Sequence, residues 1–136
     1  MKRILLIDDD LRVTRFLRRV LQYAGHQVLT AVTGRDAMRL LAENQFDLVL
    51  TDIIMRDMEG IEIIMRVRRE HQSLPIIAIS GGGRISAEDH LLIARKLGAN
   101  VTLAKPFTPA VLLAAVERVF APHGQEDFPA VAAPVV

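Results

Sequence analysis

Residues 48–55 read LVLTDIIM, an unbroken aliphatic and β-branched run with a carboxylate, Asp52, near its end. Leu48-Val49-Leu50 suits a strand buried on both faces, so Asp52 should emerge at the strand's carboxyl end, where it can be reached. Four more short apolar runs flank it: Arg3 to Ile7, Gln27 to Ala31, Ile76 to Ile79 and Val101 to Ala104. The segments between them have helical period. Val13, Phe16, Leu17, Val20, Leu21 and Ala24 form one stripe, with Gly25 as its stop. Thr33 and Asp36 read as a capping pair before Ala37, Met38, Leu40 and Leu41, and Ile61, Ile64 and Met65 make a third stripe. Ser86 and Asp89 repeat the capping pattern before Leu91 to Leu97, with Gly98 as the stop. Thr108 and Pro109 open a last helix with Leu112, Ala115, Val116, Val119 and Phe120 on one side.

Five β/α repeats with such apolar strands predict a doubly wound α/β fold, because only a parallel sheet covered by helices on both faces buries those strands twice. Ligands of open sheets bind outside the carboxyl ends of the strands, at the switch point of strand order. The residues at the strand ends therefore carry the functional reading.

Composition narrows the classes. A chain of 136 residues fits one domain that buries roughly two-thirds of its unfolded surface. It has no cysteine, which excludes thiolate catalysis and cysteine-based zinc sites and suits a reducing compartment. The opening MKRILLIDDD has too short an apolar run for a signal peptide. No stretch approaches the ~20 apolar residues of a membrane span, despite a mean hydropathy of +0.27. A net charge of +1 argues against direct nucleic-acid binding. The stretch APHGQEDFPAVAAPVV, residues 121–136, has no Lys or Arg and no periodicity. The expected organisation is a domain over 1–121 and a mobile tail over 122–136, with a docking segment as the second reading of the tail.

The first strand delivers Asp8, Asp9 and Asp10; the third Asp52; the fourth Ser80 followed by Gly81, Gly82 and Gly83; the fifth Lys105 followed by Pro106. If Asp8, Asp9 and Asp52 converge within ~5 Å, each like-charge pair costs about 3 kcal/mol at an effective dielectric of 20. Such a cluster calls for a divalent cation. With only oxygen donors on offer the ion should be hard, and Mg²⁺, which keeps waters and accepts phosphate oxygens, fits. Lys105 and Ser80 suit a phosphoryl group, and backbone N–H groups at Ile54 and Gly81 offer further donors. The set points to phosphoryl chemistry on Asp52.

Taken in order, ILLIDDD, LVLTDIIMRDMEG, IIAIS and AKPF closely resemble the receiver domain of two-component response regulators, over Lys2 to about Phe120. The resemblance implies a flavodoxin-like sheet of five parallel strands in the order 2-1-3-4-5 flanked by five helices. It makes Asp52 the phosphoacceptor, supplied by a sensor histidine kinase or a histidine phosphotransfer protein. Asp9, Asp52 and the Ile54 carbonyl would bind Mg²⁺ directly and Asp8 through water; Ser80 and Lys105 would hold the phosphoryl oxygens. It further implies a cytoplasmic, stand-alone switch that acts on a downstream protein. The face of the fourth helix, fifth strand and fifth helix would serve a target or a homodimer.

Departures from the family pattern shape what to expect. Arg56 follows Met55 where the family often has proline, and Thr102 stands at the switch position that is aromatic in the family. With three glycines after Ser80, a signal carried by loop rearrangement is expected instead of an aromatic rotamer change. Ile54 and Gly82 offer no side chain to position a hydrolytic water, so the phosphoryl group should be lost slowly.

Other readings weigh less. Asp8 and Asp9 alone would serve as helix caps, and Asp10 reads as a helix-start residue only. Arg12, Arg15, Arg18 and Arg19 lie off the apolar stripe as a solvated face, with kinase docking as the alternative. The histidines follow no metal-ligand spacing, and Met55 and Met58 read as packing residues. An aspartyl phosphatase of haloacid dehalogenase type is disfavoured by Arg12, which sits where that motif wants Thr or Val. Three acids after the first strand would repel a dinucleotide, and the glycines after Ser80 lack the Gly-Lys-Ser/Thr ending of a nucleotide P-loop. A phosphorylation-independent adaptor of the same fold is the remaining alternative.

Overall fold

The computed structural model describes residues 1–55, 60–81 and 87–121, and of residues 87–91 the backbone alone. Arg56, Met58, Gly82, Gly83, the Ser86–Asp89 capping pair and the tail over 122–136 lie outside the described residues. The elements alternate as β1 (Arg3–Ile7), α1 (Leu11–Tyr23), β2 (Gln27–Ala31), α2 (Gly34–Glu43), β3 (Leu48–Asp52), α3 (Gly60–Glu70), β4 (Ile76–Ser80), α4 (Ala87–Leu97), β5 (Val101–Ala104) and α5 (Pro109–Phe120). The five strands form one parallel sheet in the order β2-β1-β3-β4-β5. Doubly wound α/β is thus the observed class.

Alternation along the strands divides the core in two. Ile4, Leu6, Leu48, Leu50, Ile77, Ile79, Val101 and Leu103 pack against Leu17 and Leu21 of α1 and Leu112, Ala115, Val116 and Val119 of α5. Leu5, Ile7, Val49, Ile76 and Ala78 face the other way, onto Ala37 and Leu41 of α2, Ile63, Ile64 and Val67 of α3, and Ala94 of α4. Helices on both faces are what bury β3 and β4 throughout and all of β1 but Arg3. At one edge of the sheet β2 is only half-buried.

The expected caps form wherever they are described. Asp10 accepts from the N–H groups of Arg12 and Val13, Thr33 from that of Asp36 and Thr108 from that of Val111, and Pro109 opens α5. Gly25 and Gly98 have φ of 95° and 123°, the left-handed conformation that ends a helix. Two helical faces differ from expectation. On α1 the buried residues are Thr14, Leu17 and Leu21, while Phe16 is 47% exposed. On α3 they are Gly60, Ile63, Ile64 and Val67, an i, i+3, i+4, i+7 stripe, and Met65 points outward. The α3 stripe starts on a glycine, which adds nothing to an apolar pattern.

Candidate phosphoryl site

Ile7 lies opposite Thr51, so Asp8 and Asp52 leave neighbouring central strands at the same edge of the sheet. They leave at the switch point, since from β1 the chain goes outward to β2 and β3 lies on the other side. Ser80 pairs with Ala104, and the next residue, Lys105, donates its N–H to the Ser80 carbonyl at 2.8 Å. Strand pairing alone thereby gathers four of the expected residues, Asp8, Asp52, Ser80 and Lys105. The Lys105 ammonium stands 3.0 Å from Asp52 Oδ2 and 3.5 Å from Asp8 Oδ2, between the two carboxylates.

Each carboxylate is held differently. Asp52 is buried but for a narrow opening, and its Oδ1 accepts the Ile54 N–H at 3.2 Å. Asp8 is 1% exposed, and its Oδ1 accepts the Asp10 N–H at 2.9 Å. Its Oδ2 has the ion pair with Lys105 but no hydrogen-bond donor among the described residues, which leaves a buried anionic oxygen under-satisfied there. Burial pushes the Asp8 carboxyl up to about 6; the Asp10 N–H opposes this, the charge of Asp52 adds to it, and Lys105 opposes it. Burial also works against the Lys105 charge, yet Asp52 and Asp8 together outweigh it and hold the ammonium above its ordinary range. Among the described residues, two carboxylates share the one ammonium of Lys105.

Asp9 sits half-buried on the β1–α1 turn beside this cluster, and Ser80 and Thr102 are fully buried. Ile54 exposes its side chain by 43% next to Asp52. The Lys105 stem passes close over Gly81 on its way to the carboxylates, so that a Cβ there would lie 3.0 Å from Lys105 Cδ. Among the described residues no three His, Cys, Asp or Glu side chains group as a ready metal cage. Two carboxylates with one oxygen unsatisfied nevertheless suit a hard cation that brings its own waters.

Residues missed by pattern reading also support the site. The Thr14 hydroxyl donates to the Asp8 carbonyl at 3.2 Å, and the Thr51 hydroxyl to the Asp52 carbonyl at 2.9 Å. Gly60 at the head of α3 donates its N–H to the Ile53 carbonyl at 2.6 Å. A polar residue on a buried helical stripe was the available signal for Thr14; the other two had none.

Residues 4–117 match the response regulator receiver domain family. The chain belongs to it. Receiver domains accept a phosphoryl group on an aspartate in two-component signalling. This receiver is 34% identical over 122 residues to the transcriptional regulatory protein PrrA of Mycobacterium tuberculosis, covering 90% of this chain and 51% of that one. It thus spans about half the length of the curated relatives it matches. In structure it resembles the chemotaxis response regulator CheY4 of Vibrio cholerae, with 31% identity, 88% and 99% of the two chains covered, and a TM-score of 0.79. It also resembles the beryllofluoride-activated NtrC4 receiver domain dimer, with 31% identity, 88% and 97% covered, and a TM-score of 0.80. No helix among the described residues is long and apolar enough to cross a membrane.

Proposed function

We propose that this receiver carries its phosphoryl group on Asp52. One observation supports the reading above the others: the Asp52 carboxylate lies at the carboxyl end of the central strand β3, gripped by the Ile54 N–H and faced by the Lys105 ammonium. An Asp52 oxygen attacks the phosphorus of a phosphohistidine; the P–N bond breaks, and the departing imidazole takes its proton from solvent. The phosphoryl group in flight spreads its charge over three oxygens, so positioning and electrostatics do most of the catalysis. Lys105 meets one of those oxygens, with Ser80 and the Gly81 N–H on the neighbouring strand end. Loss of the group is attack by water, which returns the carboxylate and releases inorganic phosphate.

Mg²⁺ supplies the remaining positive charge on the phosphoryl oxygens when bound. Asp9, Asp52 and the Ile54 carbonyl would hold it directly and Asp8 through water, and the unsatisfied Asp8 oxygen supports that assignment. The donor is a sensor histidine kinase or a histidine phosphotransfer protein in the cytoplasm. Output passes through a protein partner, without direct nucleic-acid contact, at the face of α4, β5 and α5, where Leu92 and Ile93 are exposed by 53% and 45% and a homodimer would also form.

The test is intact-mass spectrometry after incubation with acetyl phosphate, with and without Mg²⁺, on the unaltered chain and on Asp52→Asn. A single Mg²⁺-dependent phosphoryl adduct, absent from the variant, is the expected outcome. A folded chain that binds no Mg²⁺ and takes no adduct is instead a phosphorylation-independent adaptor.

A further inference from the structure

Helix α3 begins against the phosphoacceptor itself. Gly60 is buried, and a Cβ there would collide with the Asp52 carbonyl oxygen and lie 2.6 Å from Ile53 Cα and 2.8 Å from the Asp52 carbonyl carbon. That backbone is held in place by hydrogen bonds of its own. The Ile53 N–H is bonded to the Ile79 carbonyl of β4 at 2.9 Å, and the Asp52 carbonyl accepts the Thr51 hydroxyl. The Gly60 N–H, in turn, holds the Ile53 carbonyl at 2.6 Å.

That carbonyl and the Ile54 N–H belong to one planar peptide unit, so gripping one end aims the other. The aimed end is the N–H that holds Asp52 Oδ1. We infer that Gly60 is a positioning residue for phosphoryl transfer: by lacking a Cβ it lets the first turn of α3 clamp the Ile53–Ile54 peptide, whose N–H orients the Asp52 carboxylate. The inference rests on Asp52 being the acceptor. Ala in place of Gly60 forces α3 or this peptide aside, while Asp52, Asp8 and Lys105 all remain.

The experiment is residue-resolved amide hydrogen exchange on the whole chain and on Gly60→Ala, combined with phosphorylation rates at saturating Mg²⁺. In the unaltered protein the Gly60 and Ile54 amides should exchange at matching rates, since one opening of the peptide clamp frees both. In Gly60→Ala the Ile54 amide should exchange at least about tenfold faster relative to Leu50 in mid-β3, which corrects for any global loss of stability. The rate per folded molecule should fall about tenfold or more, in line with a misplaced reacting group. A folded Gly60→Ala with Ile54 exchange and rate both within about twofold of the original overturns the inference. If Gly60→Ala does not fold, the original chain decides: unrelated exchange rates at Gly60 and Ile54 overturn it, and matching rates support it. Failure of the unaltered chain to take any phosphoryl group removes the Asp52 reading instead, and leaves exchange to judge the clamp.

Discussion

Asp8 illustrates how much one buried charge shapes this site. Its carboxyl is raised from 3.8 to about 6 because burial penalises the charged form, so the folded chain binds that proton more tightly than the unfolded one. The resulting stability is fully present below about 4 and is lost as pH rises through about 6. At about 1.4 kcal/mol per unit, it amounts to about 2–3 kcal/mol. Urea melts in buffer free of divalent cations should therefore show stability falling across that window. Asp8→Asn should remove the slope and stabilise the metal-free protein at neutral pH, and an unchanged slope would show that Asp8 is not its source. The triplet of acids was legible in the sequence, but their division of labour was not: Asp10 caps α1 while Asp8 turns inward, a distinction made by burial and not by residue type.

Among the elements, α3 and α4 are tied at their carboxyl ends by Arg68. Its guanidinium donates to the Gly98 carbonyl at 2.7 Å, to Asn100 Oδ1, and to the carbonyls of His71 and Gln72. Partial burial pulls its pKa down, and Asn100 Oδ1 also accepts the Ile76 N–H at the start of β4. Arg68→Ala strands the part-buried Gly98 carbonyl and removes a donor from Asn100 Oδ1, so a loss of about 1–3 kcal/mol is expected in denaturant melts. Its distance in the fold from Asp52 predicts an unchanged phosphorylation rate, and a rate that fell with stability would refute that separation. Nothing in local pattern marked Arg68, whose distant partners, Gly98 and Asn100, are brought to it by the fold. Phe16 teaches the same lesson in reverse: helical period placed it inward, yet Thr14, Leu17 and Leu21 face the sheet and leave it at the rim beside Pro106 and Phe107.

For the molecule as a whole, the lifetime of a phosphoryl group on the proposed acceptor, Asp52, depends on what surrounds it. Ile54 presents an exposed aliphatic side chain beside Asp52, with no group to orient an attacking water. The phosphoryl group should therefore persist well beyond seconds once donor and Mg²⁺ are in place. Following the adduct by mass after donor removal checks this, and decay within seconds would mean that another group aligns the water. Thr102, the expected switch position, is fully buried on β5 and β-branched, so it has little rotamer freedom to carry a signal.

The sequence by itself determined the alternation of strands and helices, the described caps and stops, the residues at each strand end and the family, because period, turn chemistry and residue order are local and survive without the fold. Only the tertiary structure decided which face of α1 and α3 turns inward, that Lys105 stands between Asp8 and Asp52, and that Gly60 grips the Ile53 carbonyl. Those features depend on backbone groups brought together across strands and on the room a missing Cβ leaves, and neither has a periodic signature in the chain.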